Sequence, residues 1–426
     1  FIINIPAPSN YIGPAKLFGL PALTSNDADE EPLPLIRVVH DYDVFESSDT
    51  REHAYNIISG VENDFLVTNS FVPDKHKKND PLPDALPSSL KYALKCFVLS
   101  VTARRVRKQT EVHNSMLIHI SRFIVWQDRI ATLVDAELKF YQKQIELNSG
   151  TLLNDLEVIW ETDFMPTTET IIQSTPQYKD PGITNISWDE IKTEIYNAIS
   201  KMEVRAVHGD KNIAGLSHHN ISPLDYFVSE QQNKYISVIA VGGDKLSRGL
   251  TLEGLSVSYY LRASKMYDTL MQMGRWFGYR HGYVDLCRIF TTNDLTRWYK
   301  HITIASEEMR RDFDYMFLLK KTPKEFGLKV RTHPGVLKIT AANKFRYKKI
   351  MFLSYSGQLE QTYLFKIDEG RFKNNLIVAD NLISLLGDPL SKTMNDFNKK
   401  QKFVWSGENN YSIIINFLIN YRIGGE

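Results

Sequence analysis

The sequence has only two cysteines, Cys96 and Cys287, far apart and in no CxxC pair. That excludes a disulfide framework and argues against a thiolate zinc site. It has no surplus of charge either. Lys+Arg number 51 and Asp+Glu 50, a net charge of +1, so no polybasic signature for nucleic acid runs along the whole chain, although a local groove can still be basic. No apolar run approaches the ~20 residues of a membrane span; residues 413–415 and 417–419 are apolar but are separated by Asn416. Internal repeats and low-complexity tracts are missing and no signal peptide is visible at Phe1, where an upstream segment could still carry one; the expectation is a cytoplasmic protein with no membrane role. Finally, no G-x-x-x-x-G-K-[ST] occurs anywhere, so these residues encode no phosphate loop of that kind.

What is present is an ordinary globular composition, 43% hydrophobic and 24% charged, which argues against extensive disorder. The length predicts roughly two to four structural units. Residues 1–80 are rich in prolines and read as an extended region, with short strand-like runs at 35–40 and 64–67. A proline-spaced stretch, 81–87, leads into a helix that Ser88 or Ser89 would cap; Leu90, Ala93, Leu94, Phe97, Val98 and Val101 recur at helical spacing. This linker, 81–113, ends in the basic cluster Arg104, Arg105, Arg107 and Lys108. Strands are predicted at 115–120, 204–208, 236–241, 257–261 and 284–290, and helices at 127–146, 270–277 and 295–317. Residues 147–200 read as a helical insert. Strands alternating with helices define an α/β fold with a parallel sheet over 114–345. Residues 346–426 read as a small appended α+β subdomain.

Chemistry concentrates in residues 238–282. A buried strand ends in Gly242-Gly243-Asp244, followed by Ser247-Arg248-Gly249 and Thr251. Ligands of parallel sheets sit beyond the carboxyl ends of strands, and glycine lets backbone approach phosphate. Next come Gln272, Arg275 and Arg280 with Gly274, Gly278 and Gly282 between or beside them, a setting suited to bidentate recognition of phosphate oxygens. Either feature alone is more often a turn or a surface arginine. Their order, strand–GGDKLSRGLTLEGL–strand followed by Q-x-G-R, is the stronger signal.

This pair of blocks resembles the fifth and sixth motifs of superfamily-two helicases, which occupy the second RecA-like lobe. More narrowly, it is similar to the Z-one domain family, helicase-like ATPase modules of bacterial endonucleases and of restriction-linked or phage-defence proteins. The stretch 115–122 resembles that family's strand at the start of the second lobe, and helix 90–107 its linker helix. Asn10-Tyr11-Ile12-Gly13 with Phe18 resembles the stretch just after the first lobe, and 322–326 and 339–341 continue the likeness. The resemblance implies a RecA-like second motor lobe that supplies arginines to ATP and Mg²⁺ held by an upstream lobe. Arg280 would be the arginine finger and Arg275 the second choice. Gln272 would orient them or touch nucleotide, and Gly243, Asp244, Arg248, Gly249 and Thr251 would couple nucleotide to DNA, with Ser247 on nucleic-acid phosphate. The arginines follow Gln272 by three and eight residues, which departs from the usual spacing and leaves their register open.

With no phosphate loop here, the expectation is a missing N-terminal ATPase lobe upstream of Phe1, an ATP hydrolase when complete, and an inactive fragment alone. The alternative is a degenerate RecA-like interaction or nucleotide-sensing module without motor activity. His208, His218, His219 and Asn220 match no zinc spacing and read as a polar loop. The Glu325/Lys329 pair carries no nuclease signature by itself, so any nuclease centre would lie elsewhere or in a nuclease or methyltransferase partner. Arg104 and Arg105, and Lys344 and Arg346 with Phe345 and Tyr347 interleaved, are the candidates for a nucleic-acid path. Trp276 and Phe277 are expected in packing rather than base stacking. No metal ligands are assigned.

Overall fold

A computed structural model describes residues 8, 10–23, 27–42, 71–73, 76–174, 180–207, 224–243, 246, 250–262, 264, 266–320, 369–387, 391–395, 400–404 and 411–421. They fall into two compact units, Phe1–Leu20 with Glu30–Lys349, and Pro21–Asp29 with Ile350–Glu426.

The first unit is built on a six-stranded sheet. Its strands are β2 (Ile36–Val38), β3 (Asn114–His119), β4 (Met202–Val207), β5 (Ser237–Gly242), β6 (Leu255–Tyr260) and β8 (Arg288–Thr291), in the spatial order β2-β8-β6-β3-β5-β4. Every pairing is parallel. Parallel strands are covered on both faces, which is why residues 116–118 of β3 and 238–241 of β5 read as unbroken apolar runs instead of alternating ones. Met116, Ile118, Ile239 and Val241 face the main core. Leu117, Val238 and Ala240 face the other way, onto a second cluster with Leu224, Tyr226, Leu246 and Leu252. The α/β class and parallel sheet expected from the sequence are present, consistent with a RecA-like fold.

The helix read as a linker, α2 (Ser88–Val106), lies against β6 and β8 and is buried nearly all round between Ser89 and Arg104. Its N-cap is Pro87, not Ser88 or Ser89. Asp41 instead accepts the Ser89 N–H at 2.8 Å and the Ser89 hydroxyl, placing a carboxylate at the positive end of the helix. Helix α3 (Ile124–Glu146) begins three residues before the expected start and covers β4 and β5.

The predicted helical insert comprises α4 (Leu152–Ile159), a π-helical turn (Trp160–Phe164), α5 (Met165–Ser174) and α6 (Trp188–Ile199). Its π-helical turn carries Asp163 into the core. There the carboxylate meets Arg37 of β2, Arg288 of β8 at 3.0 Å and the Tyr92 hydroxyl of α2 at 3.0 Å. Arg288 is fully buried and stacks 4.1 Å above the Phe164 ring. This network ties insert, sheet edge and α2 together.

Two sequence expectations change here. The run 284–290 is not one strand: Val284–Leu286 form a 3₁₀ turn, and β8 starts only at Arg288, because Asp285 turns inward to bind Arg107. The helix expected at 270–277 is α8 (Tyr267–Met273), ending at Gly274. Trp276 and Phe277 instead pack against Tyr299 of α9 (Asn293–Leu318), with ring centroids 5.4 and 6.4 Å away. The turn into β6 depends on Gly254, at φ +64°, where a Cβ would strike the His113 carbonyl. Remaining elements of this unit are β1 (Tyr11–Ile12), α1 (Pro14–Phe18), α7 (Tyr226–Gln231) and β7 (Gly278–Tyr279), with β1 and β7 antiparallel.

The second unit contains α10 (Glu369–Leu386), the antiparallel pair β9 (Ser391–Asn395) and β10 (Lys400–Val404), and α11 (Tyr411–Asn420), with α10 against α11. The apolar run near the end is α11, and no helix among the described residues is long and apolar enough to cross a membrane.

Candidate functional site

Three central strands, β6, β3 and β5, end side by side at the carboxyl edge of the sheet, the side on which parallel sheets take ligands. Strand β5 runs out in Gly242-Gly243. A Cβ on Gly243 would collide with the Gln127 side-chain amide of α3, so a side chain of this protein fills the space a larger residue would need. Gln127 in turn donates to the Ser121 carbonyl at 2.9 Å, just past β3. The Ser121 hydroxyl accepts the Phe123 N–H at 3.1 Å and lies 2.7 Å from His76 Nε2. The His76 ring rests 4.5 Å from Trp126. At the end of β6, Arg262 Nη1 stands 3.2 Å from Nε2 of the buried His119, which must accept. His76, His119, Ser121, Gln127 and Arg262 were not assigned from sequence. The available signal was position: they lie just beyond, or reach over, the ends of predicted parallel strands.

Of the residues assigned from sequence, Gly243 is at this edge and Thr251 is exposed beside the buried Leu252. Asp244, Ser247, Arg248 and Gly249 lie outside the described residues, as do Lys344, Arg346, the His208–Asn220 group, Glu325 and Lys329.

The arginine block follows α8, where Gln272 is exposed. Arg275 Nη2 donates to the Leu250 carbonyl, so the second block is hydrogen-bonded to the tail of the first. Partial burial pulls the Arg275 guanidinium below its ordinary arginine value. Arg280 is oriented differently. Its Nη1 donates to the Tyr279 carbonyl at 2.8 Å, and its Nη2 to the Trp276 and Arg275 carbonyls at 3.3 and 3.4 Å. It borders a space of about 10 Å³ with Leu255 and Ser256, at the amino end of β6. The structure therefore joins Arg275 to Leu250 but sets Arg280 toward the sheet edge opposite Gly243. The stretch after Asn10 converges on this loop as well: β1 pairs with β7, Tyr11 meets Tyr279 edge-on at 5.5 Å, and Phe18 stacks on Tyr299 at 4.9 Å. Trp276 is buried against Tyr260, as packing requires.

The basic cluster at the end of α2 is only partly open to solvent. Arg104 is 4% exposed; its guanidinium bonds Gln109 at 2.9 Å, the His113 carbonyl at 3.0 Å and Asn114 at 2.7 Å, and stacks 4.1 Å over Tyr283. It is turned inward and holds the turn into β3, which corrects its assignment to nucleic acid. Arg105 pairs with Glu194 at 3.0 Å and stays partly open. Arg107 grips Asp285 with bonds of 2.6 and 2.8 Å. Among the described residues, no group of three His, Cys, Asp or Glu side chains is arranged to hold a metal ion.

A parallel sheet sandwiched between helices, with its two glycine- and arginine-bearing connections bonded to each other, defines a three-layer α/β lobe. Comparison with family models is more specific. The model of the Z1 domain matches residues 89–337, over half of the chain, and the protein belongs to this Z1, or Z-one, domain family. Neither the curated proteins nor the solved structures contain a match.

Proposed function

We propose that this chain is the C-terminal motor lobe of an ATP-dependent, DNA-acting helicase-like protein of the endonuclease, restriction or phage-defence type. ATP and Mg²⁺ would be held by a separate phosphate-loop lobe, and this lobe would present arginine to the phosphates. The observation that carries the reading is the Arg275–Leu250 hydrogen bond. It ties the arginine loop directly to Leu250, so a displacement of either is felt by the other.

The residues fit a phosphate. Arg275 has a single acceptor, the Leu250 carbonyl, among the described residues, and a guanidinium carries further N–H donors suited to bidentate contact. Arg280 already serves three carbonyls of its own loop and holds that loop in shape. These hydrogen bonds favour Arg275 over Arg280 as the group that reaches nucleotide. When bound, ATP would bring the phosphoryl group whose charge the arginine stabilises, an effect worth about 10³–10⁵ in rate in enzymes of this chemistry.

The test is DNA-stimulated ATP hydrolysis by this lobe joined to its phosphate-loop lobe, in wild-type protein and in Arg275→Ala and Arg280→Ala. Loss of turnover in Arg275→Ala with nucleotide binding retained supports the motor reading. Unchanged turnover in both variants favours the interaction or nucleotide-sensing module instead.

A further inference from the structure

The opposite, amino-terminal edge of the sheet carries a second opening. A cleft of about 330 Å³ lies where β3 and β5 begin, bordered by Asn114 and Ser237 at the strand starts. That size is at the lower end of the roughly 300–1,000 Å³ of small-molecule sites. Its lining includes Arg105, Lys201 and Lys234, and none of its described lining residues is acidic. Among the described residues, Arg105 uses only Nε, on Glu194, and neither lysine ammonium has an ion-pair or hydrogen-bond partner.

Helices α2, α6 and α7 all end near this cleft, and their carboxyl ends carry partial negative charge. Two lysines and an arginine, one charge of which is shared with Glu194, outweigh those partial charges. Neutral groups complete the wall. Tyr235 is half-buried and offers a ring, steadied by His113 at 5.6 Å between centroids. Asn233, held at φ 54° just past α7, offers amide donors and an acceptor. Cations beside an aromatic face and an amide are what phosphate, base face and base edge each require.

We infer that this amino-edge cleft binds a phosphate-bearing ligand of mononucleotide size, with the phosphate on Lys201, Lys234 and Arg105 and the base against Tyr235. The inference is independent of the motor reading, because it uses the other end of the sheet and none of the arginine loop.

Calorimetric titration of the full chain with AMP, ADP, inorganic phosphate and a short single-stranded oligonucleotide tests it. The expected result is nucleotide binding that weakens at least tenfold in Lys201→Glu/Lys234→Glu and in Tyr235→Ala, and persists in Lys201→Arg. Circular dichroism checks the fold of each variant; both lysines are exposed, so the charge reversal is expected to leave it intact. Three outcomes overturn it: no nucleotide binding at millimolar concentration, which would leave the cations as complements to the helix ends; binding indifferent to the charge reversal; or binding of the oligonucleotide only, which would make the cleft part of a strand path.

Discussion

Asp163→Asn isolates the most demanding electrostatic feature of the lobe. The carboxylate is shared by Arg37 and Arg288 and also accepts from Tyr92. Burial by itself would raise the Asp163 pKa, but the Arg288 and Arg37 guanidiniums overcome that and hold the carboxyl well below the usual range. Asparagine keeps the shape and removes the charge, leaving two guanidiniums, one of them fully buried, without a counter-ion. Removing one partner of a buried pair costs about 3–5 kcal/mol, a large share of the roughly 5–15 kcal/mol of a typical domain. At ~2–4 °C per kcal/mol, melting should fall by roughly 6–20 °C, nearer the lower figure for a chain this long. The pH dependence has a definite sign. A depressed folded-state pKa gives stability that is complete above the unfolded value of ~3.9 and is lost as pH falls through the folded value. The gap between wild type and Asp163→Asn should therefore be widest near neutral pH and narrow below about pH 4. Urea melts at pH 7 and pH 3 measure it. A difference below about 1 kcal/mol at pH 7, or a gap that widens in acid, would refute the account of this network.

Other outcomes follow from particular contacts. Gly243→Ala forces a methyl onto the Gln127 amide and should destabilise by about 1–3 kcal/mol as overpacking does; the cost should shrink in a Gln127→Ala background, and additive effects in the double-mutant cycle would count against the contact. Burial pushes the Cys96 thiol up and the Cys287 thiol up to about 11. Neither should react with a disulfide reagent at pH 8 until denaturant is added, and fast labelling of native protein would contradict this. Asp285→Ala should lower stability by about 3–5 kcal/mol, because it strands Arg107 with side chains 4% and 0% exposed; a melting point equal to wild type would show that the pair is not formed.

The sheet was legible because buried parallel strands announce themselves: residues 116–118 of β3 and 238–241 of β5 are apolar without alternation, and the strands alternate with helices. The expected ends of β3, β4, β5 and β6 were off by one or two residues. Position, not type, was the weak part of the reading. The larger differences share one cause. A sequence pattern assigns charged residues to the surface, yet Arg104, Asp163, Asp285 and Arg288 are buried and satisfied by partners from other elements. Asp285 broke the strand expected at 284–290, and Arg104 is turned away from the expected DNA path. Partners as far apart as Arg37 and Asp163 share no local signal, so only the fold reveals them. The glycine and arginine blocks were visible as motifs, while the bond between them, Arg275 to Leu250, was not. The residues at the carboxyl edge, such as His119 with Arg262, belong to no spacing pattern; sheet order alone makes them neighbours.

The central claim is that this lobe completes an ATPase by contributing arginine. The direct measurement is single-turnover ATP hydrolysis, with DNA present, by this lobe together with its phosphate-loop lobe, comparing wild type with Arg275→Ala. The account predicts a rate lower by about a thousandfold or more at nearly unchanged nucleotide affinity, and negligible hydrolysis by the present chain alone. Robust Mg²⁺-dependent turnover by the present chain alone, or an Arg275→Ala rate equal to wild type, would contradict it.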